Sequence, residues 1–516
     1  DVQTAYSKNK PPGATRRAFG HGGYTGVSMW VDAELDLFAI VLTNRVHPDG
    51  AGSSNELAAR VGGAAVEALG GVGGGSGRAA VEAPGGVGQG AGGAAGGAPG
   101  GTGGPPVVTS GGAPRCAAGP PRFGVDALVE RGFAGLEGAR VGLLANGAAR
   151  TREGERTVDR LARAGEIKLV RLFSPEHGLS ADQEAAIASG VDEATGLPIV
   201  SLYGRTFEPP PGSLDGLDAL VVDLPDVGAR FFTYASTLHR AMRAAARQGL
   251  RVVVLDRPNP LGGHRVAGPV WAGPRATFVN HHPLPVEHGM TLGELAEMMA
   301  ADEHLALELR VVPALGWRRG VAFAATGLPW FPPSPNLRSA DEALLYPGVA
   351  LVEGANVSVG RGTDTPFELV GAPWVDAAGL ARALAAERLA GVAFEPVAFT
   401  PRAAPYRDTP CHGVRVRLRD PSSFEPVRAG LALARALAAL HPAEFRAERL
   451  AGMVGDDAVV ASLRAGRPVD EIVRSYQGGL EAFARKRQKY LLYGDGVCAP
   501  GAGAPATPPM TPPAAP

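Results

Sequence analysis

The chain has 516 residues, with 50 basic and 51 acidic side chains and a formal net charge of -1. That balance excludes the clustered Lys and Arg with which nucleic-acid binders neutralise phosphates, and it equally excludes an acidic tail protein. Apolar residues make up 45% of the chain, enough for real cores, yet the 73 glycines and 45 prolines amount to roughly 23% against an ordinary ~12%, so part of the chain is of low complexity.

Residues 1–59 form a short leading piece. Ser28–Asp32 and Leu37–Thr43 are apolar or alternating runs with Asp32–Asp36 between them, the signal of a β-hairpin. Just upstream stands His21-Gly22-Gly23, and downstream Thr43-Asn44-Arg45-Val46-His47-Pro48. Together these resemble the C-terminal end of serine β-lactamase-like and penicillin-binding hydrolases. Such enzymes need an S-x-x-K nucleophile on a helix far upstream. The only formal match, Ser7-Lys8-Asn9-Lys10, is too close to the triplet and lies in a polar, Pro-flanked stretch, so the piece is expected to be catalytically dead. Residues 62–104 then hold 20 glycines in 43 positions, and Ala64–Gly73 nearly recurs at Ala79–Gly88. Such sequence cannot bury enough apolar surface to offset its ordering entropy, so 60–121 is expected to be a disordered linker. The Pro/Ala-rich tail, 495–516, reads the same way.

From Arg122 to about Gly494 the sequence is globular. Arg140–Ala145 is an apolar strand, Arg156–Arg163 a short helix, and Ile167–Phe173 a strand running into Ser174-Pro175-Glu176-His177-Gly178. Pro198–Tyr203 and Asp218–Leu224 are further strands. Thr233–Gln248 is a helix stopped by Gly249, and Arg251–Leu255 a strand ending in Asp256-Arg257-Pro258-Asn259-Pro260. Strands alternating with helices predict an α/β fold with a parallel sheet. In the second half, Thr291 and Glu294 form a capping box opening a helix at 292–301. Helices are expected at 377–389, 426–440 and 468–488, and short strands of a second α/β layer at 308–312, 349–352 and 413–418. The division is expected near 275–290, giving a sheet domain at 122–280 and a smaller C-terminal domain at 281–494.

In open parallel sheets the ligand crevice lies beyond the carboxyl ends of the strands. Those ends deliver Asn146, then Glu176 and His177, then Asp223 and Asp226, then Asp256, Arg257 and Asn259. A rim of carboxylates suits general acid/base work, as in glycoside hydrolysis. Glu176 stands out, because Pro175 fixes its approach and Glu is a poor turn former, so local geometry does not explain it. For Asp223 and Asp256 pairing with an arginine or with loop backbone is the favoured reading, and Asp226 with Gly228 fits an Asx turn equally well. The fingerprint of a dinucleotide fold is missing after Ala145, and no Walker motif occurs, so no cofactor is expected. Cys116, Cys411 and Cys498 stand in no CxxC or CxxH pattern, which predicts neither a metal site nor a disulfide framework. No run of 18 apolar residues predicts a transmembrane helix.

The Ser174-Pro175-Glu176-His177-Gly178 turn resembles the PEHG motif of NamZ-type exo-β-N-acetylmuramidases. The likeness continues in order through Asp223-Leu224-Pro225-Asp226-Val227-Gly228-Ala229-Arg230-Phe231, Asp256-Arg257-Pro258-Asn259-Pro260 and Glu287-His288-Gly289-Met290-Thr291. It goes on through Pro333-Ser334-Pro335-Asn336-Leu337 and Gly360-Arg361-Gly362-Thr363-Asp364-Thr365-Pro366-Phe367, covering about 122–494. Pro225 departs from the family's D-x-Q-D motif, and Leu179-Ser180-Ala181-Asp182 from its usual Gly- and Arg-bearing loop.

The resemblance implies a Rossmann-like catalytic domain and a smaller C-terminal domain closing a cleft. It implies an enzyme that releases N-acetylmuramic acid from the non-reducing end of peptidoglycan fragments. It places the catalytic glutamate on Glu176, donating to the glycosidic oxygen, with Asp226 and then Asp223 as candidates for the second group. Arg230, His288 and Arg361 are candidates for holding the lactyl carboxylate of the sugar, and His177, Asn259, Asn336, Asn356 and Thr363 for further sugar contacts. Trp330-Phe331 would either stack a sugar ring or pack in the core. The partners expected are peptidoglycan saccharides, not nucleic acid. A non-catalytic cell-wall sugar-binding protein with a degenerate site is the alternative. The chain starts at Asp1 without a basic-then-apolar leader, so location follows from substrate alone: periplasm or cell exterior, or cytoplasm if the role is recycling.

Overall fold

A computed structural model describes residues 121–180, 189–273 and 276–494, and the backbone of three strands near the start of the chain. Those three are β1 (Phe19–Gly22), β2 (Val27–Asp32) and β3 (Leu37–Leu42), joined in an antiparallel sheet in chain order. The hairpin expected at 28–43 is thus β2–β3, paired from Val27↔Leu42 to Asp32↔Leu37, and His21 lies on β1, opposite Met29. The Ser7–Lys10 match, the linker apart from Pro121, and the tail lie outside the described residues, as do Cys116 and Cys498. These strands belong to a compact unit of their own, Asp1–Gly104.

Within Pro105–Pro516 the central feature is a seven-stranded sheet in the order β10-β9-β8-β4-β5-β7-β6. Its strands are β4 (Arg140–Ala145), β5 (Lys168–Ser174), β6 (Gly190–Val191), β7 (Pro198–Ser201), β8 (Ala219–Asp223), β9 (Arg251–Leu255) and β10 (Leu309–Val312). All neighbours are parallel except β6, which runs against β7. The middle strands are apolar throughout because both faces are covered: every residue of β8 is buried, as are Val141–Ala145 of β4 and Val252–Leu255 of β9. Helix Tyr234–Arg247 packs on β9. Helix Leu292–Asp302 packs on β9 and β10, and helix Gly124–Glu130 on the same two strands. The capping box of helix Leu292–Asp302 is present, with Thr291 Oγ1 accepting from the Glu294 N–H and the Glu294 carboxylate accepting from the Thr291 N–H.

The second layer is an antiparallel sheet of β11 (Leu369–Ala372), β13 (Cys411–Leu418) and β12 (Val392–Phe399), in that order. Helix Ala377–Ala386 backs it, helix Pro426–Leu440 packs on that helix, and helix Ala340–Val349 crosses Pro426–Leu440 through facing glycines. A Cβ on Gly430 would stand 2.2 Å from the Gly348 carbonyl oxygen, so neither position accepts a side chain without separating the helices. One continuous apolar cluster runs from Val222, Val254 and Met242 of the first layer to Leu351, Val414 and Leu431 of the second. Burial in β13 pushes the Cys411 thiol up to about 11.

Three expectations need correcting. The strand at 308–312 is not in the second layer: β10 pairs in parallel with β9, from Leu309↔Val252 to Val312↔Leu255. The sheet domain therefore runs past the expected division at 280. Residues 349–352 are no strand, but the end of helix Ala340–Val349 continued as a 3-10 turn, Ala350–Val352. A short apolar run carries no period of its own, and here it is buried from a helical turn. The helix expected at 468–488 is two, Val469–Ser475 and Gln477–Arg487, broken at Tyr476.

Candidate active site

The chain leaves β4 toward β5 and β7, then returns to the other side of β4 to form β8, β9 and β10. The carboxyl ends of β4 and β8 thus flank the point where connections diverge, which is where such sheets bind ligands. Asn146 closes this point as a latch. Its Nδ2 donates to the Tyr234 hydroxyl at 2.6 Å and to the Pro333 carbonyl at 3.0 Å. The Tyr234 hydroxyl donates to the same carbonyl at 2.8 Å and lies 3.3 Å from the Glu176 carbonyl. Tyr234, itself held by Asn146, therefore ties the turn after β5 to the loop carrying Ser334.

Glu176 follows β5 by two residues. The next residue, His177, has φ 70° and Gly178 has φ 67°, so two successive left-handed residues reverse the chain behind the glutamate. A histidine in that region is uncommon, and such strain gathers at functional turns. The Glu176 carboxylate is half-buried. It accepts a hydrogen bond from Thr233 Oγ1 at 2.5 Å and another from the Tyr203 hydroxyl, which stands just beyond β7. Thr233 is the N-cap of helix Tyr234–Arg247, where a threonine side chain ordinarily accepts from the first-turn N–H groups. Here it makes no such cap, because its hydroxyl is turned to Glu176. Burial first, then the bonded Glu176 carboxylate, raise the Tyr203 hydroxyl far above the ordinary tyrosine range, so it stays a proton donor. Neither Thr233 nor Tyr203 was singled out from sequence.

Glu176 and His177 open into a cavity of about 390 Å³, within the size range of small-ligand sites. Phe231, Phe232 and Thr233 complete its sheet-domain side. Ser334, Leu337, Tyr346, Glu353, Arg361, Phe367 and Met453 wall it from the rest of the chain. Tyr346 stands edge-on to Phe231, Phe232 and Phe367. The Arg361 guanidinium pairs with Glu353 and lies 5.1 Å from the centre of the Phe367 ring. Burial first, then Glu353, push the Tyr346 hydroxyl upward, and the charges of Glu176 and Asp226 add to the effect.

The other predicted site residues fare differently. Asp223 is fully buried and consumed: Arg257 donates to it at 2.5 and 2.9 Å and Thr157 at 2.6 Å. Arg230 does not reach the cavity among the described residues. It is a buried clamp on the carbonyls of Pro269, Leu284, Met453 and Val454, and burial lowers its pKa to about 9. Asn259 bonds the Met290 carbonyl and the Leu261 N–H. Asn356 bonds the Glu444 carbonyl and the Arg446 N–H. Thr363 bonds the Gly360 carbonyl inside its own turn. All three are held by backbone rather than offered to a ligand. His288 is fully buried; its Nδ1 accepts from the Met290 N–H and its Nε2 lies 3.6 Å from Asp226 Oδ2.

Asp226 Oδ2 accepts from the Gly228 N–H at 2.8 Å, so the Asx turn is present. Gly228 has φ 80°, and a Cβ there would stand 2.5 Å from Asn259 Oδ1. Asp226 lines a separate, far smaller pocket of about 30 Å³ with Pro225, Arg257, Trp330 and Phe331. Trp330 packs on Phe323 and donates to the Leu337 carbonyl, and Phe331 carries Arg150 over its ring. That pair is core packing, not a stacking platform in the large cavity. Asn336 is buried between the cavity residues Ser334 and Leu337.

Residues 141–341 match the family described as exo-beta-N-acetylmuramidase NamZ, N-terminal, and residues 344–493 match exo-beta-N-acetylmuramidase NamZ, C-terminal. The peptidoglycan beta-N-acetylmuramidase NamZ of Bacillus subtilis (strain 168) is 39% identical over 375 residues, covering 72% of this chain and 91% of that protein. Two crystal structures of DUF1343 family proteins from Bacteroides fragilis NCTC 9343 are similar as well. One is 34% identical with a TM-score of 0.67, covering 74% of this chain and all of its own. The other is 30% identical with a TM-score of 0.60, covering 73% of this chain and all of its own.

Proposed function

This chain belongs to the NamZ exo-β-N-acetylmuramidase family, and from that premise we infer how its cavity works. The protein is a glycoside hydrolase, an exo-β-N-acetylmuramidase that acts on peptidoglycan fragments and releases N-acetylmuramic acid from their non-reducing ends. Glu176 is the general acid/base. The observation that carries this reading is its carboxylate, delivered by the end of β5 into the cavity and held by the Thr233 and Tyr203 hydroxyls. Neutral donors fix its direction without the full counter-charge a guanidinium would bring, so it can give up and regain a proton at the glycosidic oxygen.

Asp226 stays our candidate for the second carboxylate. It is tied into its turn through one oxygen only, and it lines the small neighbouring pocket rather than the cavity that holds Glu176. Of the three cations considered for the lactyl carboxylate, Arg361 is the one that lines the cavity. Its partner Glu353 holds it in position, and its flat guanidinium suits a carboxylate. His177 and the Ser334–Leu337 turn complete the sugar's surroundings.

The test is turnover of a chromogenic N-acetylmuramide by the native protein and by Glu176→Gln. Loss of turnover with retained sugar binding supports the assignment. Undiminished turnover overturns it, and binding without turnover by the native protein returns the non-catalytic alternative. For residues 1–59 a likeness to the C-terminal end of serine hydrolases stays a proposal from sequence alone; the family matches lie at 141–341 and 344–493. Among the described residues no helix is long and apolar enough to cross a membrane. With peptidoglycan as the substrate source, we place the enzyme's work in the periplasm or outside the cell.

A further inference from the structure

Away from the cavity, three histidines are buried against one another. His239 comes from the middle of helix Tyr234–Arg247, while His281 and His282 come from the segment leading to helix Leu292–Asp302. The His239 ring centre lies 5.7 Å from that of His281 and 5.5 Å from that of His282. Glu303, the residue that ends helix Leu292–Asp302, closes the group from the solvent side. Its Oε1 is 3.0 Å from His239 Nε2. One ligand atom each from His239, His282 and Glu303 lies within 4.8 Å of the others. We propose that these three residues form a binding site for a divalent transition metal, with zinc the best fit.

Two imidazoles and one carboxylate are a donor set that zinc accepts, leaving a further position for water. Metal–ligand bonds of about 2.0–2.2 Å put tetrahedral ligand atoms roughly 3.4 Å apart. Metal binding would draw the group, now spread within 4.8 Å, in to that spacing by side-chain rotation. Asp302 stands 2.7 Å from His282 Nε2, the carboxylate partner that orients metal-binding histidines and raises their basicity.

His281 supplies an independent observation. It is 94% buried, and neither of its ring nitrogens has a hydrogen-bond partner, although buried polar groups are rarely left so. Burial holds all three rings below the ordinary histidine range, in the neutral form that ligates a metal. The competing account is a set of ion pairs. Arg243 lies 3.4 Å from Glu303 and Lys486 2.5 Å from Asp302. Those pairs, together with the His239–Glu303 and His282–Asp302 contacts, account for two of the imidazoles and leave His281 unexplained.

The site would tie together two elements that reach the cavity. His239 lies six residues beyond Thr233 on the same helix, and Val279, which lines the cavity, precedes His281 by two. The inferred role is structural, and it does not depend on the glycosidase assignment.

The experiment is calorimetric titration of the full chain, stripped with a chelator and dialysed, with Zn²⁺. Visible absorption after loading Co²⁺ then reports ligand geometry. The expected result is one saturable equivalent and the intense bands of a low-coordinate cobalt site. Both are lost in His282→Ala, and the affinity falls at least about tenfold in Glu303→Gln. Glu176→Gln should bind the metal unchanged, which separates this proposal from the catalytic one. Should His282→Ala fail to fold, Glu303→Gln decides, since Glu303 is exposed. No saturable binding, or binding indifferent to Glu303→Gln, overturns the proposal.

Discussion

Three strand ends of one sheet carry a carboxylate each, and the sheet treats them in three ways. Beyond β5, Glu176 meets two hydroxyls and an open cavity. At the end of β8, Asp223 meets a guanidinium and is sealed. Just after β9, Asp256 is fully buried with Thr291, the Gly293 N–H and Tyr493 as its donors, and burial lifts it to about 6. Strand-end position therefore does not by itself select the carboxylate that faces the cavity. The partner does: a full counter-charge makes a structural ion pair, whereas neutral donors beside open space leave a carboxyl free to exchange its proton.

The largest expected effect breaks the first member of the comparison. Glu176→Gln should lower kcat on a chromogenic N-acetylmuramide by roughly 10²–10⁴-fold with the melting temperature nearly unchanged. Asp223→Ala should do the converse. It strands the buried Arg257, so chemical denaturation should show a loss of about 3–5 kcal/mol. Asp256 sharpens the contrast through pH. Its folded pKa is raised, so its stabilising contribution is complete below the unfolded value near 3.8 and is lost as pH rises through about 6. Denaturation midpoints should fall across that window, and Asp256→Asn should flatten the slope.

Thr233→Val removes one hydroxyl from Glu176. Because that hydroxyl does not cap its helix, kcat/KM should fall about 10–100-fold with little change in stability. Tyr203→Phe, at a partly exposed donor, should cost only a few-fold, read in the same assay.

Much of the sheet was legible because buried parallel strands are apolar from end to end. Arg140–Ala145 and Arg251–Leu255 are strands with the predicted bounds. The second layer was less so. Its β12 alternates partly exposed residues, and Leu351-Val352 is apolar for a helical turn that no strand period distinguishes. In the site, Glu176 was legible because Pro175 and a poor turn former made it anomalous. The fate of Arg230, Asn259 and Asn356 was not, because carbonyl groups satisfy them and carbonyls leave no mark in a sequence. His239, His282 and Glu303 lie 64 positions apart from first to last, so no spacing rule gathers them.

The most direct measurement of the central claim is a crystal structure of Glu176→Gln with a disaccharide bearing N-acetylmuramic acid at its non-reducing end. The account predicts the glycosidic oxygen about 2.6–3.2 Å from the side chain at position 176, with the lactyl carboxylate against Arg361. A sugar seated elsewhere, or one whose glycosidic oxygen faces a different acid, would contradict it.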